Sequence, residues 1–144
     1  MKLKNKNNEK FNDVTNTNVI DITVHANITV VNLNRITNSG IGDMYIHNVD
    51  NSGTFSIDNE GTGNIEIDGA STGLTVRNQG SGNISGFDFL VNDCTIDIEG
   101  SGDVKVNCSS SLDVVIEGSG DVYYKGTPTI NTDITGSGSV INAN

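Results

Sequence analysis

Residues 98–104 read Ile98-Glu99-Gly100-Ser101-Gly102-Asp103-Val104, and residues 116–122 read Ile116-Glu117-Gly118-Ser119-Gly120-Asp121-Val122. The second block repeats the first almost letter for letter at an 18-residue step. Working outward, the turn Gly-x-Gly-[Asp/Asn/Ser]-[aliphatic] recurs at Gly40-Ile41-Gly42, Gly61-Thr62-Gly63, Gly80-Ser81-Gly82 and Gly136-Ser137-Gly138. The successive steps are 21, 19, 20, 18 and 18 residues. A fixed period in this range is the signature of a solenoid rather than of a globule with one central core.

Aligning each copy on its first glycine brings out the ladders. Six residues before it stand Phe55, Leu74, Cys94, Leu112 and Ile130, and four before it stand Ile36, Ile57, Val76, Ile96, Val114 and Thr132. Four after it stand Met44, Ile65, Ile84, Val104, Val122 and Val140; six after it come Ile46, Ile67, Val106 and Tyr124, with Gly86 and Asn142 as exceptions. Apolar and polar residues alternate within each segment, which is the period of a half-buried strand. The pattern predicts an all-β, single-domain parallel β-helix of 18–21 residues per coil, with coils stacked about 4.8 Å apart. The corner glycines are expected to take positive φ, and the Asp or Asn that follows to hydrogen-bond a nearby backbone N–H.

The position two before the first glycine reads Asn38, Asn59 and Asn78, then Ile98, Ile116 and Ile134. It shares parity with the apolar ladders. An inward stack of asparagines bonded amide to amide, giving way to isoleucines, is one reading. A local bulge that turns these residues outward is the other.

Met1 to about Asn18 is polar, rich in Lys and Asn and without period, and reads as a flexible or assembly arm. Residues 19–35 contain two strand patterns, Ile20-Ile22-Val24 and Ile28-Val30, and read as a divergent first coil before six Gly-x-Gly coils over 36–144.

The stretch from about Ile36 to Asn142 resembles the head GIN domain family of auto-transporter adhesins. The resemblance is carried by the Ile-x-Gly-Ser-Gly-Asp-Val block and the Leu-x-Val that follows it, at Ile98 to Val104, Leu112 to Val114 and Ile116 to Val122. It implies a β-helix on exported proteins at the bacterial cell surface, and it brings no catalytic residues to carry over. Right-handedness is expected from the family and from the hand of parallel crossovers. The chain departs from the pattern in having no export signal and only a short region before the repeats.

Composition narrows the functional classes. The net charge is −10, which opposes nucleic acid as a partner. No apolar run approaches the ~20 residues that span a bilayer. Lys2, Lys4, Lys6 and Lys10 precede no hydrophobic stretch, so no signal peptide is read. Two cysteines make neither a disulfide framework nor a metal site. Cys94 reads as a small core residue. Cys108 lies four residues out of its register, so both are expected as free thiols unless a corner folds the two together.

Candidate sites are sparse. Glu99 and Glu117 precede the first glycine on adjacent coils; they read as a solvated acidic face or as a weak cation site. Asp58, Arg77 and Asp97 read as a stacked ion-pair column. His25 and His47 have no serine or cysteine nucleophile beside them, and Ser109, Ser110 and Ser111 form a polar loop with no base nearby in sequence. Tyr45, Lys105 and Tyr123 share an outward position, where exposed aromatics can stack on sugar rings. No cofactor, metal or catalytic residue is assigned.

The sequence therefore points to a non-catalytic, adhesin-like extracellular or surface module that displays a binding face or self-assembles through its ends. The alternatives are a glycan-binding module and, further off, a β-helix polysaccharide enzyme. Such an enzyme needs long loops to build a cleft, and these coils differ in length by only three residues.

Overall fold

A computed structural model describes residues 33–144 in full and residues 13–16 by their backbone. The elements are β1 (Asp13–Asn16), β2 (Arg35–Asn38), β3 (Met44–Asn59), β4 (Ile65–Asn78), β5 (Ile84–Ile98), β6 (Val104–Ile116), β7 (Val122–Lys125), β8 (Thr129–Ile134) and β9 (Val140–Asn142). All pairings are parallel, in the order β1-β2-β3-β4-β5-β6-β7-β9, with β8 also on β6. There is no helix among the described residues. The molecule is a β-solenoid of about six turns in which β3, β4, β5 and β6 each wrap one coil.

Each long strand bends twice, where the register between neighbours slips: at Ile46/Val49 and Asn51/Thr54 in β3, and at Gly86/Leu90 and Val91/Asp93 in β5. With the Gly-x-Gly turn these bends give each coil three short sides. Like residues stack on like: Ile36, Ile57, Val76, Ile96 and Val114 are in successive register, and all are buried. Each such side chain contributes on the order of 1.5–3 kcal/mol by leaving water. The core also holds two rings the alignment did not place together. Phe55 and Phe89 meet edge to face, centroids 5.6 Å apart, although β4 lies between their strands. Phe89 sits in register with Gly69.

The corner glycines are explained differently from the expectation. None has positive φ; among the described residues only Asn48 (58°), Gly69 (119°) and Gly126 (92°) do, and these lie at other corners. The turns need glycine because they stack backbone on backbone. A Cβ on Gly61 would overlap the carbonyl oxygen of Gly40, and one on Gly63 that of Gly42. The same overlap recurs upward through Gly80, Gly82, Gly100, Gly102, Gly118, Gly120, Gly136 and Gly138. Close approach, not φ, excludes a side chain. The inter-coil bonds run through the same atoms: Gly61 N donates to Asn38 O at 3.0 Å and Thr62 N to Gly40 O at 3.1 Å.

Within the stretch read as a polar arm, residues 13–16 form a strand one step before β2, with Val14 opposite Ile36 and Asn16 opposite Asn38. The divergent-coil reading of 19–35 and the rest of the arm lie outside the described residues, apart from residues 33–35. At the far end, all six residues of β8 are exposed, including Ile130 and Ile134.

Candidate functional site

Asn38, Asn59 and Asn78 are fully buried. Their amides chiefly reach backbone rather than one another. Asn38 Nδ2 donates to Gly63 O, Asn59 Nδ2 to Gly82 O and Asn78 Nδ2 to Gly102 O, at 3.0–3.1 Å. One amide-to-amide bond exists, from Asn59 Nδ2 to Asn78 Oδ1 at 3.1 Å. Each asparagine therefore ties its coil to the second glycine of the next. A second ladder runs along the outside of the same corner. The side chains of Asp43, Asn64, Asn83, Asp103 and Asp121 each accept the N–H of the equivalent residue one coil on, at 2.7–3.0 Å. The acidic or amide residue after Gly-x-Gly thus pins the next corner rather than its own.

Asp58, Arg77 and Asp97 do stack in register as expected, and both carboxylates act on Arg77 after Glu99, but the short ion pairs run diagonally. Arg35 binds Asp58 at 2.6 Å and Arg77 binds Glu99 at 2.6 Å. Both arginines reach across to a carboxylate two positions further along the strand and one coil up. Glu99 also accepts from Gln79 Nε2 at 2.8 Å, and Gln79 first, then Arg77, holds its carboxyl below the ordinary value. Its oxygens are thus engaged by side chains rather than turned toward Glu117.

A corner brings the Cys94 and Cys108 positions nearer than a straight strand would, the case the spacing argument left open. Cys108 is in register with Val91 and Cys94 with Leu112, so four residues do separate the two positions along the coil. Residues 108–112 round a corner instead of running straight, and all four of these side chains point into the core. Cys108 Sγ lies 3.2 Å from Asn92 O and 2.8 Å from Ser111 O. The Cys108 thiol first and burial second push the Cys94 thiol up. Both cysteines are free. Ser109 and Ser111 are held by Asn92 and Asp93, and no histidine is among their partners.

The remaining candidate surface is the side of the coil that follows the Gly-x-Gly corner. Tyr45, Glu66, Ser85, Lys105 and Tyr123 stack in register five residues after the first glycine. Seven residues after it stand His47, Asp68, Phe87, Asn107 and Lys125. This second column went unread, although the same alignment extended by two residues contains it. Its side chains engage one another upward. His47 Nδ1 lies 2.6 Å from Asp68 Oδ2, and Asn48 N donates to Asp68 Oδ1 at 2.6 Å, which supports the positive φ of Asn48. The Asn48 N–H first and His47 second hold the Asp68 carboxyl below its ordinary value. Lys125 Nζ sits 4.6 Å from the centroid of Phe87, and Lys105 Nζ 6.0 Å from that of Tyr123. Partial desolvation, then Asp103 and Asp121, raise the Tyr123 phenol.

Between the two columns lies an open depression of about 280 Å³, lined by Glu66, Asp68, Ser85, Phe87, Asp88 and Lys105 over Ile67. It offers a ring, carboxylate acceptors and an ammonium donor on a fixed backbone. That set suits recognition of a hydroxyl-rich ligand. His25 lies outside the described residues.

The comparisons with known proteins agree with this architecture. The family model described as "Putative auto-transporter adhesin, head GIN domain" matches residues 1–128. A comparison with curated proteins returns no match. Among solved structures, the chain is similar to a putative adhesin from Bacteroides fragilis NCTC 9343, with a TM-score of 0.66 at 24% sequence identity. The similarity covers 77% of this chain and 61% of that one, and it bears on the fold. No helix among the described residues is long and apolar enough to cross a membrane.

Proposed function

Because the chain belongs to the auto-transporter adhesin head GIN domain family, we propose that it is a non-catalytic adhesive module of the bacterial surface that binds glycan through the depression between Tyr45–Tyr123 and His47–Lys125. One observation carries the reading. On this side of the coil an aromatic ring, carboxylates and an ammonium group from successive coils surround an open, shallow space. The other outward ladders close on themselves as ion pairs and Asx bonds.

The chemistry is that of a lectin-like surface. Phe87 offers ring surface to the C–H face of a sugar. Glu66 and Asp88 accept from hydroxyls in charge-assisted bonds, and Lys105 donates. The coil backbone is locked by the glycine stack, so little ordering accompanies binding. The test is a glycan array on the purified chain, followed by titration of Phe87→Ala and Lys105→Ala. At least a tenfold loss of affinity in each is expected. Retention of no glycan, or variants that bind like the parent, overturns the reading.

A second reading is self-association, favoured by the wholly exposed β8 with its Ile130 and Ile134. A further parallel rung from a second copy would cover these side chains and take up the backbone groups of β8.

A further inference from the structure

We propose that Cys94 and Cys108 are a cross-linking site, forming an intramolecular disulfide that staples the coil of β5 to the coil of β6. The argument is geometric. The corner between Val91 and Cys94 turns two inward-facing positions toward each other, and Cys108 stacks directly on Val91. That places Cys108 one coil above Cys94 and diagonal to it. Cys108 Sγ is 3.2 Å from the carbonyl oxygen of Asn92, two residues before Cys94.

This corner is one residue longer in β6, where Ser109 and Ser110 stand between the paired positions, than in β5, which has only Asn92 there. The bulge they form keeps Cys108 facing inward while the chain still reaches register at Ser111. Among the described residues these are the two cysteines, and the whole chain holds no other, so the pairing is unambiguous.

The oxidant is a disulfide, either a low-molecular-weight one or the disulfide of an oxidising protein. The thiolate of one cysteine attacks it, forming a mixed disulfide and releasing one thiolate. The thiolate of the second cysteine then displaces the remaining half. One S–S bond forms in this chain and one is lost in the oxidant, which leaves with the electron pair and, at neutral pH, the two protons. Both sulfurs are buried, so the reaction belongs to folding, as the coil of β6 docks on that of β5. The closed loop is four residues short of one coil, and it ties the strand carrying Phe87 and Asp88 to the strand carrying Lys105. The inference does not depend on the nature of the ligand.

The test is refolding of the denatured, reduced full chain with glutathione disulfide in the buffer. Burial then cannot block access. The product, unfolded and alkylated, is expected to carry no alkyl group and to weigh two hydrogens less than the reduced chain. Digestion should release linked peptides containing Cys94 and Cys108. The melting temperature should exceed that of the reduced protein by on the order of 5–15 °C. The double variant Cys94→Ser/Cys108→Ser should show the same far-ultraviolet circular dichroism and no response to the oxidant. Two alkylatable thiols after refolding, glutathione adducts alone, or links only between molecules would overturn the proposal. The mass readout on the parent chain stands even if the variant fails to fold, and it is blind to the outcome of any glycan array.

Discussion

The carboxamide of Asn59 donates to Asn78 Oδ1 across the coil boundary at 3.1 Å, inside a core from which both are shut off from water. The two are not equivalent. Asn78 uses both ends of its amide, donating to Gly82 O and Gly102 O while accepting from Asn59. Asn59 Oδ1 has no hydrogen-bond partner. Removing a buried group costs most when it leaves other groups unmet, about 1–3 kcal/mol for each. Asn78→Ala strands the Gly102 carbonyl and one Asn59 bond, whereas in Asn59→Ala the Gly82 carbonyl keeps Asn78. Urea unfolding should therefore show both variants destabilised, with Asn78→Ala the worse. Equal midpoints would count against the bonding pattern.

The glycine stack makes a sharper demand. Gly100→Ala sets a Cβ into the carbonyl of Gly80, which is backbone held on both sides and cannot yield. A loss of roughly 3 kcal/mol or more is expected. Gly100→Asn should fare no better, although asparagine tolerates positive φ. Gly53→Ala meets only Asn51 Oδ1 at 3.4 Å and should fold like the parent. A stable Gly100→Asn variant would restore the positive-φ account of these corners.

Acid should weaken the fold through Asp68. Its carboxyl sits below the ordinary value of 3.8, owing first to the Asn48 N–H and then to His47. The unfolded chain lacks both donors and binds the proton at higher pH. The stability linked to Asp68 is thus complete above the ordinary value and is lost as pH falls through the lower, folded one. Asp68→Asn should flatten the acid limb when urea midpoints are followed from about pH 6 to about pH 3. An unchanged acid limb would place the linkage elsewhere, with Glu99 the next carboxylate to substitute, since it too is held low.

Self-association is a matter of charge against exposed rung. The chain carries a net charge of −10, so copies repel at low salt. If β8 seats a second copy, sedimentation should show a larger species as ionic strength rises, and Ile134→Lys should suppress it. A constant monomer at every salt concentration removes this reading and leaves the glycan surface untouched.

The vertical order of the molecule was written in the sequence. Parallel, in-register stacking puts like above like, so aligning on Gly-x-Gly is enough to line up Ile36 with Ile57, Val76, Ile96 and Val114. The period, the strand character, the apolar ladders and the place of the corners all follow from that one rule, because it needs only spacing. The family resemblance rested on the same blocks.

What ran around the coil was not legible. The two corners away from Gly-x-Gly differ in length from coil to coil, as the register slips at Ile46/Val49 and Gly86/Leu90 record. A slip of one residue decides which side chains face each other laterally, and no period encodes it. Hence the reach of Cys108 to the Asn92 carbonyl, the reach of Phe55 to Phe89, and the diagonal of Arg77 to Glu99 appeared only once the chain was closed. The reason for the glycines was hidden in the same way. Their presence was plain in the sequence, but the carbonyl that excludes a side chain at Gly100 belongs to Gly80, twenty residues away, and only the packing of one coil upon another brings it there.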